Sequence, residues 1–210
     1  YLKDPNYAHA FILASGRNSL VCKGLDYETL LNDVLDSFDF YNNSEQSLLI
    51  AASQHAPLQE MMPIVEEMLA DPFVVFGIDG TVLASINPEG ITDSQTRKNV
   101  LTRGNLGADT IGGYFVDKKG IVHHDLSAVP LSMSSEDGTT AVSTYLYQDN
   151  EPIGFIVHFP SSERNNVLAQ ALDSVIALYL SQAEEFTSAF SPHQSQRLAL
   201  ADLMSGRHAS

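Results

Sequence analysis

Asp71-Pro72-Phe73-Val74-Val75-Phe76-Gly77-Ile78-Asp79-Gly80-Thr81-Val82-Leu83-Ala84-Ser85-Ile86 is the stretch that decides the fold class of this 210-residue chain. Two β-rich runs flank Asp79-Gly80, and a two-residue turn that matches strand twist needs positive φ values, which Asp and Gly tolerate. The pattern predicts a hairpin opening a sheet. What that sheet serves is decided by the residues around it.

Upstream, Pro57 opens a predicted helix with Leu58, Met61, Met62, Val65, Met68 and Leu69 on one face. Pro63 has no N–H to offer the carbonyl of Gln59, so a kink or a late start is expected there. Asp71-Pro72 ends the helix, because a residue before proline is pushed out of the α region. Earlier still, Asp26 caps a long helix in which Tyr27, Leu30, Leu31, Val34, Leu35, Phe38, Tyr41, Leu48 and Leu49 recur at helical spacing. Residues 10–23, AFILASGRNSLVCK, read as strand, turn and strand.

Downstream, residues 91–103 are polar, with Thr92 or Asp93 as cap, and predict a surface helix that runs into the glycine-rich GNLGADTIGG. YFVDKKGIVHH suits either a hairpin around Asp117-Lys118-Lys119-Gly120 or helical turns flanking that glycine. LSMSS, AVSTYLYQ and GFIVHF form a three-stranded meander, its last two strands joined through Asp149-Asn150-Glu151-Pro152. A second long helix follows, with Leu168, Ala171, Leu172, Val175, Ile176, Tyr179, Ala183 and Phe186 as its apolar stripe. The predicted class is α+β: a PAS- or GAF-like antiparallel sheet flanked by long amphipathic helices.

Composition narrows the function. With 26 acidic against 11 basic residues the formal charge is -15, which repels nucleic-acid phosphates and anionic lipid alike. The single cysteine, Cys22, excludes an intrachain disulfide and any multi-cysteine zinc site, and a reducing cytoplasm is the expected compartment. No apolar run is long enough to span a membrane. No G-x-S-x-G elbow, Walker loop, H-E-x-x-H helix or G-x-G-x-x-G turn is present, so the chain is expected not to be an enzyme.

Taken in order, YETLLNDVLDSFDFYNNSEQSLL, PLQEMMPIVEEMLADPFVVFGIDGTVLAS, YLYQDNEPIGFIVHF and RLALADLMSG resemble bacterial transcription regulators of the purine-catabolism and sugar-diacid type, PucR-like and CdaR-like. The likeness runs loosely over residues 25–206 and departs at Pro63 and in the 104–128 insert. It implies residues 1–24 as a β fragment of an upstream region, 25–56 as a linking helix and 57–162 as a sensory domain. Residues 163–190 then become a signalling helix, and 191–210 the start of a linker to a DNA-binding helix-turn-helix outside this chain. A small-molecule effector and a homodimer are the implied partners, with DNA reached only through that further region.

Candidate ligand residues follow from the sheet. Arg97 and Arg103, in a group with Lys98, Lys118 and Lys119, suit an anionic effector, or else keep a helix face solvated beside Asp93 and Asp109. Ser143, Tyr145 and Tyr147 alternate with Val142, Thr144 and Leu146, making a pocket floor or a layer packed beneath a helix. Asn87 and Tyr114 sit just past strand ends, and His124 completes the set of Asn87, Arg97, Arg103, Tyr114, His124 and Tyr145. The triplet His123-His124-Asp125 points its side chains apart and reads as ordinary polarity, so no metal or cofactor is expected. A ligand-free dimerisation module is the main alternative, and a small-molecule enzyme the next.

Overall fold

The computed structural model describes residues 10–15, 18–23, 26–106, 130–134 and 140–187, and the chain divides into two compact units, Tyr1–Glu45 and Gln46–Ser210. In the first, β1 (Ala10–Ser15) and β2 (Asn18–Lys23) pair antiparallel with Ser15 opposite Asn18, in keeping with the strand, turn and strand read in residues 10–23. Helix α1 (Tyr27–Ser53) belongs to both units. Asp26 caps it: its carboxylate accepts the Thr29 N–H at 2.9 Å and the Thr29 hydroxyl at 2.8 Å, which hold the carboxyl below the usual range. Leu30 and Leu48 of the apolar stripe are buried, while Leu35, Phe38 and Leu49 stand in solvent.

The second unit is a five-stranded sheet with helices. In chain order it runs α2 (Leu58–Met68), β3 (Phe73–Gly77), β4 (Val82–Ile86), a 3₁₀ turn (Pro88–Gly90), α3 (Ser94–Lys98) and a π turn (Asn99–Arg103). Then come β5 (Leu131–Ser134), β6 (Thr140–Gln148), β7 (Glu151–His158), α4 (Glu163–Leu180) and α5 (Glu184–Thr187). The strand order is β4-β3-β7-β6-β5 and every neighbouring pair is antiparallel. The α+β class is therefore observed. The last strand of the meander returns to the middle of the sheet, beside β3.

The two hairpins exchange the turn chemistry expected of them. Only Gly80 (φ 79) is left-handed in the first, and Ile78-Asp79-Gly80 form a three-residue loop closed by Gly77 N–H to Thr81 O at 2.8 Å. Asp79 acts through its side chain, accepting the Thr81 N–H at 3.0 Å and the Thr81 hydroxyl at 2.9 Å. The two-residue turn with both centres at positive φ is instead Asp149-Asn150, φ 51 and 63, which leaves Glu151 and Pro152 inside β7.

Helix α2 begins one residue after Pro57 and contains Pro63. Leu58, Met61, Met62, Val65 and Met68 are buried, the face that the spacing predicts. Its first N–H groups need a partner, and one comes from far along the chain: the Glu185 carboxylate takes the Leu58 N–H at 2.9 and 3.0 Å. His55 Nδ1 lies 2.9 Å from the Gln182 carbonyl, and the Glu184 N–H donates to the Ala56 carbonyl. Glu185→Ala is expected to cost about 1 kcal/mol, the usual worth of a helix cap, read as a lower urea midpoint. An unchanged midpoint would assign the contact no energy.

Helix α4 lies on β6 and β7, and of the expected stripe Ile176, Ala183 and Phe186 are buried and Leu168, Leu172 and Tyr179 half-buried. Ala169, Asp173, Ile176, Ala177 and Leu180 are buried, whereas Ala171 and Val175 face solvent. Small side chains at Ala169 and Ala177 let the helix approach closely, and Asp173 goes inward because the sheet offers it a partner.

Candidate functional site

The sheet has two unlike faces, set by strand alternation. Toward the crossover, Val74, Phe76, Phe155, Val157 and Phe159 pack with Ile91, Val100 and Leu106. Phe76 and Phe155 stack at 5.0 Å between ring centroids, and Tyr145 leans on Phe155 at 6.2 Å.

The crossover is held to the hairpin by backbone pairing. The Val82 N–H donates to the Gly104 carbonyl at 2.8 Å and the Leu106 N–H to the Gly80 carbonyl at 2.9 Å. Asp93 caps α3 through the Gln95 and Thr96 N–H groups. The π turn then swings Asn99 and Val100 inward, and Asn99 Nδ2 donates to the Leu106 carbonyl at 2.9 Å. The predicted surface helix is thus a lid with a buried side.

Among the described residues, the buried polar groups on this side of the sheet are uncharged. Thr96, Asn99 and Ser143 are buried on this side, and the hydroxyls of Thr96 and Ser143 have no hydrogen-bond partner among the described residues. A buried hydroxyl without a partner costs about 1–3 kcal/mol, and the Thr144 hydroxyl on the opposite face is in the same position. Two residues beyond Ser143 on the same face, Tyr145 is half-buried. Burial, with the neighbouring Tyr147 second, pushes its phenol above the ordinary value.

Of the six candidate ligand residues, Tyr145 is the one placed in this cluster. Arg97 is half-buried, but its Nη1 donates to the Ile91 carbonyl at 3.0 Å, fastening α3 to the segment before it. Arg103 is exposed at the end of the π turn. Asn87 is exposed and left-handed (φ 44), where it starts the 3₁₀ turn. Tyr114 and His124 lie outside the described residues, as do the 111–128 alternatives.

The opposite face carries charge that the sequence reading passed over. His158 of β7, 1% exposed, places Nδ1 3.3 Å from Asp173 Oδ1 of α4 and Nε2 3.7 Å from Asp71 Oδ2 of the α2–β3 junction. Asp71 also accepts the Ser161 N–H at 3.3 Å and Asn165 Nδ2 at 2.7 Å. Burial raises the Asp173 carboxyl above its ordinary range, and the hydrogen bond from His158 only partly offsets this. The legible signal was an aspartate at helical spacing between Ala169 and Ala177. Among the described residues, no three acidic, histidine or cysteine side chains are placed to hold a metal ion.

No family model matches this chain, and no curated protein matches it closely enough to count as a relative. No described helix is long and apolar enough to cross a membrane.

Proposed function

We propose that this chain is the effector-sensing and dimerisation region of a cytoplasmic transcriptional regulator, with a PAS- or GAF-like sensory domain built on the five-stranded sheet. The observation that carries the reading is the buried Ser143 hydroxyl, unpartnered on the sheet face beneath the crossover. The architecture supports it: an edge hairpin, a helical crossover and a returning meander make one sheet with a covered side. Because Thr96, Asn99 and Ser143 are uncharged and Arg97 is engaged on a carbonyl, the effector favoured by these groups is a neutral hydrogen-bonding molecule rather than an anion.

Exposed apolar side chains give the helices their part. Leu35, Phe38 and Leu49 of α1, and Val167, Val175 and Leu178 of α4, supply surface for a homodimer. Occupancy of the covered face would favour one packing of the flanking helices, and that differential affinity is the signal. DNA contact is assigned to a downstream helix-turn-helix, in keeping with a charge of -15 on this region. A ligand-free dimerisation module is the second reading, favoured by the same exposed residues.

A thermal-shift screen of neutral heterocycles, sugars and short carboxylates on the wild type and Ser143→Ala tests the proposal. A true effector at a hundred times its Kd is expected to contribute about 2.7 kcal/mol of stability. For a chain of this size that is a rise of roughly 5–10 °C. Ser143→Ala is expected to reduce that rise to a small fraction. An equal rise in the variant would remove Ser143 from the site, and no rise with any compound would favour the ligand-free module.

A further inference from the structure

The titratable groups buried under α4 join three elements, with the unpartnered Thr144 hydroxyl on the same face of the sheet. His158 comes from the end of β7, Asp173 from the middle of α4, and Asp71 from the junction between α2 and β3. The first turn of α4 is tied to the same point, because Asn165 donates to Asp71 and the Ser161 N–H does too. Strands β3 and β6 present Phe73 and Val142 opposite His158, neither of which ionises. On α2, Glu66 and Glu67 are exposed. Among the described side chains, the titratable groups facing His158 are therefore Asp71 and Asp173.

The arrangement is one proton away from being unbalanced. A neutral imidazole donates through one nitrogen and presents a lone pair at the other, so with Asp173 accepting from Nδ1 the Nε2 lone pair would face Asp71. An imidazolium offers a donor to each carboxylate. Burial disfavours the ionised form of Asp173, so the folded cluster holds a proton there more tightly than water would. The 3.7 Å gap at Nε2 and the unpartnered Asp173 Oδ2 leave the set short of full satisfaction.

We propose that Asp71, His158 and Asp173 form a proton-operated latch that fastens α4 to the sheet, closed while the cluster is protonated and loosened when its proton leaves. The latch works on the face away from the effector side, so it stands whether or not that side takes a guest. The direction follows from Asp173: a carboxyl raised by folding binds its proton more tightly in the folded state. Its contribution is present in full below the ordinary carboxylate range and is lost as pH rises through the raised value. Docked α4 therefore holds a proton that undocked α4 releases.

Hydrogen exchange of the full chain stepped from about pH 4, the ordinary carboxylate range, to about pH 8, expressed as protection factors, separates this device from the general effect of an acidic chain. Amides of α4 are expected to lose more protection than those of α2 as pH rises, because the proton is linked to the docking of α4. Equal losses in the two helices would overturn the latch. In urea titrations, Asp173→Asn is expected to flatten the dependence of the midpoint on pH, and a slope equal to the wild type's would also overturn it. If Asp173→Asn does not fold, the comparison of α4 with α2 in the unmodified chain decides alone.

Discussion

Gly154→Ala is expected to destabilise the sheet by about 3 kcal/mol, the upper end of what overpacking usually costs. A Cβ at this position would meet the Phe76 carbonyl oxygen at 2.4 Å, Phe186 Cε1 at 3.2 Å and Leu146 Cδ1 at 3.4 Å. The first of these is backbone of the adjoining strand, since Gly154 lies opposite Gly77 in the β3–β7 pairing, and it cannot step aside without opening the ladder. The second is the ring by which α5 reaches the sheet. Urea denaturation and protection of the α5 amides should therefore fall together. A variant with wild-type midpoint would show that β3 and β7 have slack between them.

The second large effect is expected at Phe155→Ala, a loss of about 4 kcal/mol in urea denaturation, as for other buried aromatic truncations. Phe155 stacks on Phe76 and supports Tyr145, so the void falls in the middle of the face beneath the crossover. An apolar void of that kind stays dry and accepts small apolar molecules. Benzene should restore part of the lost stability in the variant and have no effect on the wild type. A loss below 1 kcal/mol would mean that the crossover collapses onto the sheet and closes the gap.

What the sequence revealed and what it hid divide along a physical line. β-Rich runs on either side of Asp79-Gly80 placed β3 and β4, alternation placed the β5–β6–β7 meander, and period-3.6 spacing placed the buried face of α2, because such patterns record which side of an element meets the core. Capping at Asp26 and Asp93 was legible for the same local reason. The turns were misjudged because Asp-Gly and Asp-Asn suit more than one loop, and strand register chooses among them. The inward place of Asp173 on α4 was hidden because apolar residues alone do not reveal that an inward aspartate has an imidazole waiting. Of the candidate site, Tyr145 was visible as an aromatic on an alternating strand. The remaining described candidates were chosen by charge or by strand ends, and they lie at a 3₁₀ turn (Asn87), on the Ile91 carbonyl (Arg97) and at the exposed end of the π turn (Arg103).

The carboxylate of Glu185, resting on the opening amide of α2, binds two distant stretches of chain at one corner, together with the bonds from His55 to Gln182 and from Glu184 to Ala56. The segment that follows α1 is therefore fixed to α5 and the turn before it by one main-chain bond, from Glu184 to Ala56, and by the side chains of His55 and Glu185, with no strand between them.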